Sequence, residues 1–412
     1  MTYVEKIFAK VAKVPQVKVG QPVDLTPDLI VMYAWPNVSD YCLSIADEHP
    51  TADFSKIEMY IDHKLPSVSP ADVAFHNKTI AWCKRHNVPV TYGQGINHQV
   101  TVERGLIKPG QVAMHFDRHI NILGALGVFS VGTRLELIQS LILGKFSIIT
   151  PKTIRVELEN KLQDGVLGRD LFNRILYDHG PDAAPDQVLE FGGPGAINVS
   201  MDSRLTICCL AMFLGCMTAM FEPDELIKDF YRKNFNLDVS MEKGDPGCSY
   251  EKVIHYDLNT VEPMIVIPPK PQTAVPLKSV LGVPIQQGNI NSCAGGRLED
   301  IEIAARILKG KKVAYGFRLY ITPSSNKILQ DAVRLGYMET LTKAGAIFSS
   351  STCDLCYGRQ GVPADGDNVL TTGTLNVPGR MGNDTANLYI GSAAAVAASA
   401  INAEIADPRD YL

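Results

Sequence analysis

The chain has 412 residues, 46% hydrophobic and 20% charged, with a formal net charge of −5. That is a globular composition with room for several lobes, and the mild negative charge excludes a general basic footprint for nucleic acid. No stretch approaches the roughly 18 uninterrupted apolar residues of a membrane span, and nine cysteines without a secreted disulfide framework suit a reducing cytoplasm.

The opening MTYVEKIFAKVAKV is not a secretory signal, because its apolar residues are spaced. Val4, Ile7, Phe8 and Val11 recur at helical intervals. Residues 56–61 form a predicted strand running into Asp62-His63. A helix over 72–85 and strands over 88–92 and 111–117 follow. The glycine-spaced stretch from Gly124 to Gly132 leads to a helix over 135–143. Strands alternating with helices predict an α/β lobe over 1–150, with functional groups gathered at the carboxyl ends of its strands. Asp62, His63, Asp117 and His119 occupy such ends.

A second α/β lobe spans 151–265. It has predicted strands at 153–158 and 188–191, a helix at 168–178, and a buried apolar helix at 204–217. Residues 231–259 are more polar and read as peripheral. The segment 266–276 carries four prolines in eleven positions and reads as a linker. The last lobe, 266–412, has an amphipathic helix through Leu298, Ile301, Ala305 and Leu308. A strand at 312–320, a helix at 328–341 and an alanine-rich buried helix at 394–405 complete it.

Three cysteines of this lobe stand in turns rich in glycine and serine. Cys293 lies in Asn-Ile-Asn-Ser-Cys-Ala-Gly-Gly-Arg, and Cys353 and Cys356 form a C-x-x-C sixty residues later. A lone C-x-x-C fits a redox pair, half a zinc site or inert thiols. Structural zinc takes four closed ligands, and no histidine follows His255. Three thiolates without an obvious fourth also match three corners of a [4Fe–4S] cube with one open iron. Upstream, Asp62-His63, His98-Gln99 and Asp117-Arg118-His119 set histidines beside acids or amides, as a general acid requires. Satisfied core or surface histidines are the competing reading. Arg380, in the loop Asn376-Val-Pro-Gly-Arg-Met-Gly382, presents a fork suited to a carboxylate, or is simply a solvated loop arginine.

Taken in order, these motifs resemble the aconitase superfamily, and in particular the large subunits of 3-isopropylmalate dehydratase, homoaconitase and dimethylmalate dehydratase. The matching stretches are Asp62-His63, Gly95-Ile-Asn-His98-Gln99, Asp117-x-His119 with Gly124-Ala-Leu-Gly127, and Leu189-Glu190-Phe-Gly-Gly. Arg204-Leu-Thr-Ile-Cys208, Ser292-Cys293 with Arg297-x-Glu-Asp300, and Cys353-x-x-Cys356-x-Gly358 complete the set. The resemblance implies three α/β lobes packed around a [4Fe–4S] cluster held by Cys293, Cys353 and Cys356. It implies a hydro-lyase for a small hydroxy-carboxylic acid. His63 supported by Asp62 would protonate the leaving hydroxyl, and Asp117 and His119 would contact iron-bound water. His98 with Glu190 would complete the network, and Arg380 would bind a carboxylate. The family's swivelling fourth domain has no counterpart here, so a separate small subunit is expected.

Four places depart from the family pattern. Arg118 and Ile120 replace a serine and a threonine, Ala294-Gly295 replaces Thr-Asn, Cys209 replaces an asparagine, and Thr374-Leu375 replaces Asn-Arg. Arg118 is the expected substitute for the arginine lost at Leu375, which points to a substrate other than isopropylmalate. A paralogue without catalysis, serving as regulator or iron sensor, is the alternative that these departures allow.

Overall fold

Buried apolar runs become parallel strands where helices cover both faces of a sheet. In the computed structural model, which describes residues 1–412, three sheets form this way. The first is all parallel, in the order Val90–Tyr92, Ile57–Ile61, Leu29–Tyr33, Val112–His115, Phe129–Gly132. The second is also parallel: Thr218–Phe221, Val188–Gly192, Thr153–Glu159, Lys252–Asp257. In the third, Asn387–Ile390, Asn368–Thr371, Gln287–Ile290, Arg318–Ile321 and Ile347–Phe348 run parallel. Met264–Val266 and Ala274–Pro276 add an antiparallel edge to it. The mixed α/β architecture expected from the sequence is therefore present.

Several elements differ from expectation for local reasons. The proline-rich 266–276 is no linker: Ile267 N–H donates to the Thr273 carbonyl and the segment closes a hairpin. Proline is tolerated there because a sheet edge and a turn need no donated N–H. The helix predicted over 204–217 runs only Met201–Leu210 before tightening into a 3-10 turn, Ala211–Leu214. Gly336, at φ +78, divides the 328–341 pattern into the helices Asn326–Arg334 and Tyr337–Ala344. The stretch 231–259 is largely peripheral and ends in Lys252–Asp257, the mostly exposed edge strand of the second sheet. Within it, buried Tyr231 donates to the Ile107 carbonyl at 2.6 Å.

One apolar core runs from Leu29 and Tyr60 through Leu189, Cys209 and Phe221 to Cys293 and Ala294, so the cysteine loop backs onto the first two sheets. The first and third sheets are also joined directly. Ile96 N–H donates to the Ser324 carbonyl, and Asn326 N–H to that of Gln94, both at 2.9 Å. Between these bonds Gly95 has φ +137, and a Cβ there would lie 2.5 Å from the Ser325 Cα. Only glycine allows this approach. No helix is long and apolar enough to cross a membrane.

Candidate active site

The groups singled out from the sequence gather where strand ends of two sheets meet. Asp62-His63 follows the strand Ile57–Ile61, and Asp117-x-His119 follows Val112–His115. His98 is in the first turn of the helix Asn97–Arg104. Cys293 follows Gln287–Ile290, the cysteine pair follows Ile347–Phe348, and Arg380 follows Asn368–Thr371. The carboxyl ends of parallel strands carry functional groups because their loops are free to vary above a fixed frame. Cys353 N–H donates to the Asp62 carbonyl at 3.1 Å, and Lys64 N–H to Asp354 Oδ1 at 2.8 Å, so the two frames touch here.

On the first sheet two Asp–His pairs are fixed side by side. Asp62 Oδ1 pairs with His63 Nδ1 at 2.7 Å, while its Oδ2 accepts from Asn97 N–H and Nδ2 at 2.7 and 2.9 Å. Burial pushes the Asp62 carboxyl up, but His63 and the Asn97 donors outweigh burial and hold it below its ordinary value. A carboxylate on Nδ1 leaves Nε2 as the ring atom that can deliver a proton. Asp117 Oδ1 accepts from His119 N–H at 2.9 Å and meets His119 Nδ1 at 3.0 Å. Burial opposes protonation of His119, yet Cys293 and Asp117 carry it up to about 9. Asp117 is held well below its ordinary value, against burial, by His119 and His98. Tyr33 joins the pairs: its ring stacks on His63 with centroids 4.5 Å apart, and its hydroxyl donates to Asp117 Oδ2 at 3.1 Å. Nε2 of His98 and of His119 is buried without a hydrogen-bond partner.

The cysteine loops are held by two buried arginines. Arg297 Nε donates to Gln99 Oε1 at 3.1 Å, Nη1 to Thr206 Oγ1 at 2.6 Å, and Nη2 to the Cys293 carbonyl. Arg169 Nη2 donates to the carbonyls of Ala294 and Thr372 at 3.0 and 2.7 Å. Ser292 takes the left-handed conformation, φ +82, and its hydroxyl donates to the Thr372 carbonyl. Arg380 Nη2 lies 3.3 Å from Cys356 Sγ, and its Nε is buried without an acceptor. Cys353 lowers the Cys356 thiol well below its ordinary value, Arg380 assists, and burial opposes them. Cys293, Cys353 and Cys356 carry no disulfide. Cys209 Sγ lies 3.6 Å from Cys293 Sγ.

Two expected residues do not join this set. Glu190 Oε1 accepts from Arg155 Nη1 at 3.0 Å and the Tyr250 hydroxyl at 2.6 Å, and Oε2 from Tyr3 N–H at 3.2 Å. It makes no hydrogen bond to His98. Arg118 Nη2 donates to the Cys216 carbonyl at 2.8 Å. It lines a groove with Val131, Thr133 and Glu136, which contains none of the cysteines or site histidines. Leu375 packs against the apolar core. Tyr33 and Arg169 belong to the site and carry no motif in the sequence. The apolar run Leu29-Ile-Val-Met that ends on Tyr33 was the available signal for the first.

Comparison with known proteins identifies the family. The model of the aconitase family (aconitate hydratase) matches residues 73–284 and 278–403. A 3-isopropylmalate dehydratase large subunit from Nitratiruptor sp. is 34% identical, with 99% of each chain covered. Large subunit 2 from Archaeoglobus fulgidus is 36% identical over 78% of this chain and 77% of its own. The crystal structure of Thermococcus kodakaraensis aconitase X superposes with a TM-score of 0.52 at 12% identity, covering 91% of this chain and 92% of that one. That likeness speaks to the fold alone. The chain is a hydro-lyase belonging to the aconitase family.

Proposed function

We propose that the chain is the large subunit of a two-subunit [4Fe–4S] hydro-lyase that removes water from, or adds it to, a small hydroxy-carboxylic acid. The observation that carries this reading is the contact of the cysteine pair loop with Asp62-His63 across the Cys353 N–H to Asp62 carbonyl bond. The donor set fits the cluster: three thiols, an arginine donating to one of them, and two buried imidazole nitrogens without partners. Cys293, Cys353 and Cys356 would hold it, and it would supply an open Lewis-acid iron that polarises a hydroxyl or carboxylate. In this reading lobes 1–150, 151–265 and 266–412 pack around it in a reducing cytoplasm.

The chain's own groups then divide the work. His63, its tautomer fixed by Asp62, delivers a proton from Nε2 to the departing hydroxyl. Tyr33, stacked on His63 and bonded to Asp117, ties the two Asp–His pairs together, with His119 Nε2 beside Cys293. Arg380 receives one substrate carboxylate. Leu375 removes a second cationic fork, and on that ground we assign an acid other than 3-isopropylmalate. The name "large subunit" borne by the relatives supports a partner chain that completes the site.

The test is anaerobic reconstitution with and without a small-subunit partner. The ultraviolet absorbance of conjugated enoic acids is followed over a panel of hydroxy acids that includes 3-isopropylmalate. Turnover is expected only with both cluster and partner. Full turnover by the isolated chain rejects the two-subunit assignment, and preference for 3-isopropylmalate rejects the substrate assignment. Silence across the panel with cluster and partner present rejects the reaction.

A further inference from the structure

We propose that Cys209, Cys293 and His119 form a three-ligand site for one thiophilic divalent cation, zinc or ferrous iron, which shares Cys293 with the cysteine triad. Cys209 lies one residue before the end of the buried helix Met201–Leu210, at a position where the family pattern has asparagine. Its Sγ is 3.6 Å from that of Cys293. Two thiolates on one tetrahedral ion, each bonded at about 2.3 Å, stand about 3.8 Å apart. The observed spacing, bridged in the metal-free chain by a Cys209-to-Cys293 thiol hydrogen bond, is close to that of two ligands on a common ion.

The third ligand is already oriented. His119 Nδ1 is held by Asp117 Oδ1 at 3.0 Å, which turns Nε2 away from the acid. That Nε2 is buried with no hydrogen-bond partner. The ligand atoms of His119, Cys209 and Cys293 all lie within 4.8 Å of one another. A buried ring nitrogen without a partner is costly, and a metal ion beside it removes the cost. Carboxylate, imidazole and metal in this order also match the usual support of a metal-bound histidine. Binding displaces the two thiol protons and the Nε2 proton of the His119 imidazolium, so a dication with two thiolates and a neutral imidazole forms a neutral centre in a buried place. Three protein ligands leave a fourth position open. Because Cys293 belongs to both sets, this ion and a cluster compete for it. The inference rests on ligand geometry and does not require the hydro-lyase reading.

Cobalt(II) is the probe, added to reduced, metal-free protein under anaerobic conditions. In C353S/C356S, where the other two site thiols are gone, one equivalent is expected to give tetrahedral d–d bands and thiolate-to-cobalt charge transfer. Adding C209S should halve the charge-transfer intensity, and C209S or H119Q should weaken binding by at least about 10-fold. In the otherwise wild-type chain, C209S and C209N should each lower the thiolate-to-cobalt charge transfer and weaken cobalt binding, which keeps the test independent of how C353S/C356S folds. A cobalt spectrum, affinity and stoichiometry unchanged by both C209S and C209N overturn the proposal. No step reads turnover, so failure here leaves the hydro-lyase assignment standing.

Discussion

Arg297 is the side chain on which the cysteine loop rests, and its removal has a calculable cost. It is fully buried and donates to Gln99, Thr206 and the Cys293 carbonyl, while its own N–H is accepted by Asp300 Oδ2 at 3.0 Å. Asp300 depends on it electrostatically: burial pushes that carboxyl up to about 6, and Arg297 is the main opposing charge. Arg297→Met keeps the apolar stem and deletes the guanidinium. Three acceptors then lose their donor, each at about 1–3 kcal/mol, and breaking one side of a buried charge set costs about 3–5 kcal/mol in all. We expect a loss on the order of 3–5 kcal/mol in chemical denaturation of the metal-free protein, followed by circular dichroism. Iron retention after reconstitution should fall with it, because the 291–297 loop loses its tie to the helices carrying Gln99 and Thr206. Arg297→Lys restores the charge without the fork and should recover about half of the loss. A methionine variant within about 1 kcal/mol of the wild type, with normal iron retention, refutes the reasoning.

The sequence was most legible where chemistry is local. Asp62-His63 and Cys353-x-x-Cys356 are adjacent in the chain, and a parallel sheet puts whatever follows its strands at one edge. Direction was not legible. Asp117 caps a 3-10 helix, Arg118–Leu126, and consecutive residues of such a helix point about 120° apart. His119 therefore faces the cysteines while Arg118 reaches the Cys216 carbonyl, and pairing Arg118 with the substrate required a side-chain direction that the letters do not carry. Glu190 fails for distance in sequence: its donors are Tyr3, Arg155 and Tyr250, separated from it by 187, 35 and 60 positions. Cys209 was visible as a departure, but its approach to Cys293 is a tertiary contact across 84 positions.

Three further predictions follow from these placements. Asp62→Asn should lower kcat by about 10²–10⁴-fold with iron content unchanged, because an amide cannot both accept from Asn97 and fix the His63 tautomer; loss of iron instead would make Asp62 structural. Arg118→Ala should leave KM unaltered, since its guanidinium reaches the Cys216 carbonyl and lines a groove without the cysteines or site histidines; a raised KM would return it to the substrate. The pH dependence of stability should depend on Glu190. Burial is the main cause that pushes its carboxyl from 4.5 to about 7, Glu222 adds to burial, and Tyr250 and Arg155 resist. A folded value above the unfolded one means that the neutral form is favoured in the native state. The contribution is fully present below about pH 4.5 and is lost as pH rises through 7; the shift amounts to on the order of 3 kcal/mol. Glu190→Gln cannot ionise, so wild-type stability measured against this variant should decline between pH 5 and 8. Both proteins keep Arg155, Glu157 and Glu222, so their difference isolates the one carboxyl. A difference that stays flat or rises with pH would mean that Arg155, Tyr250 and the Tyr3 N–H hold Glu190 ionised, and that three donors outweigh full burial.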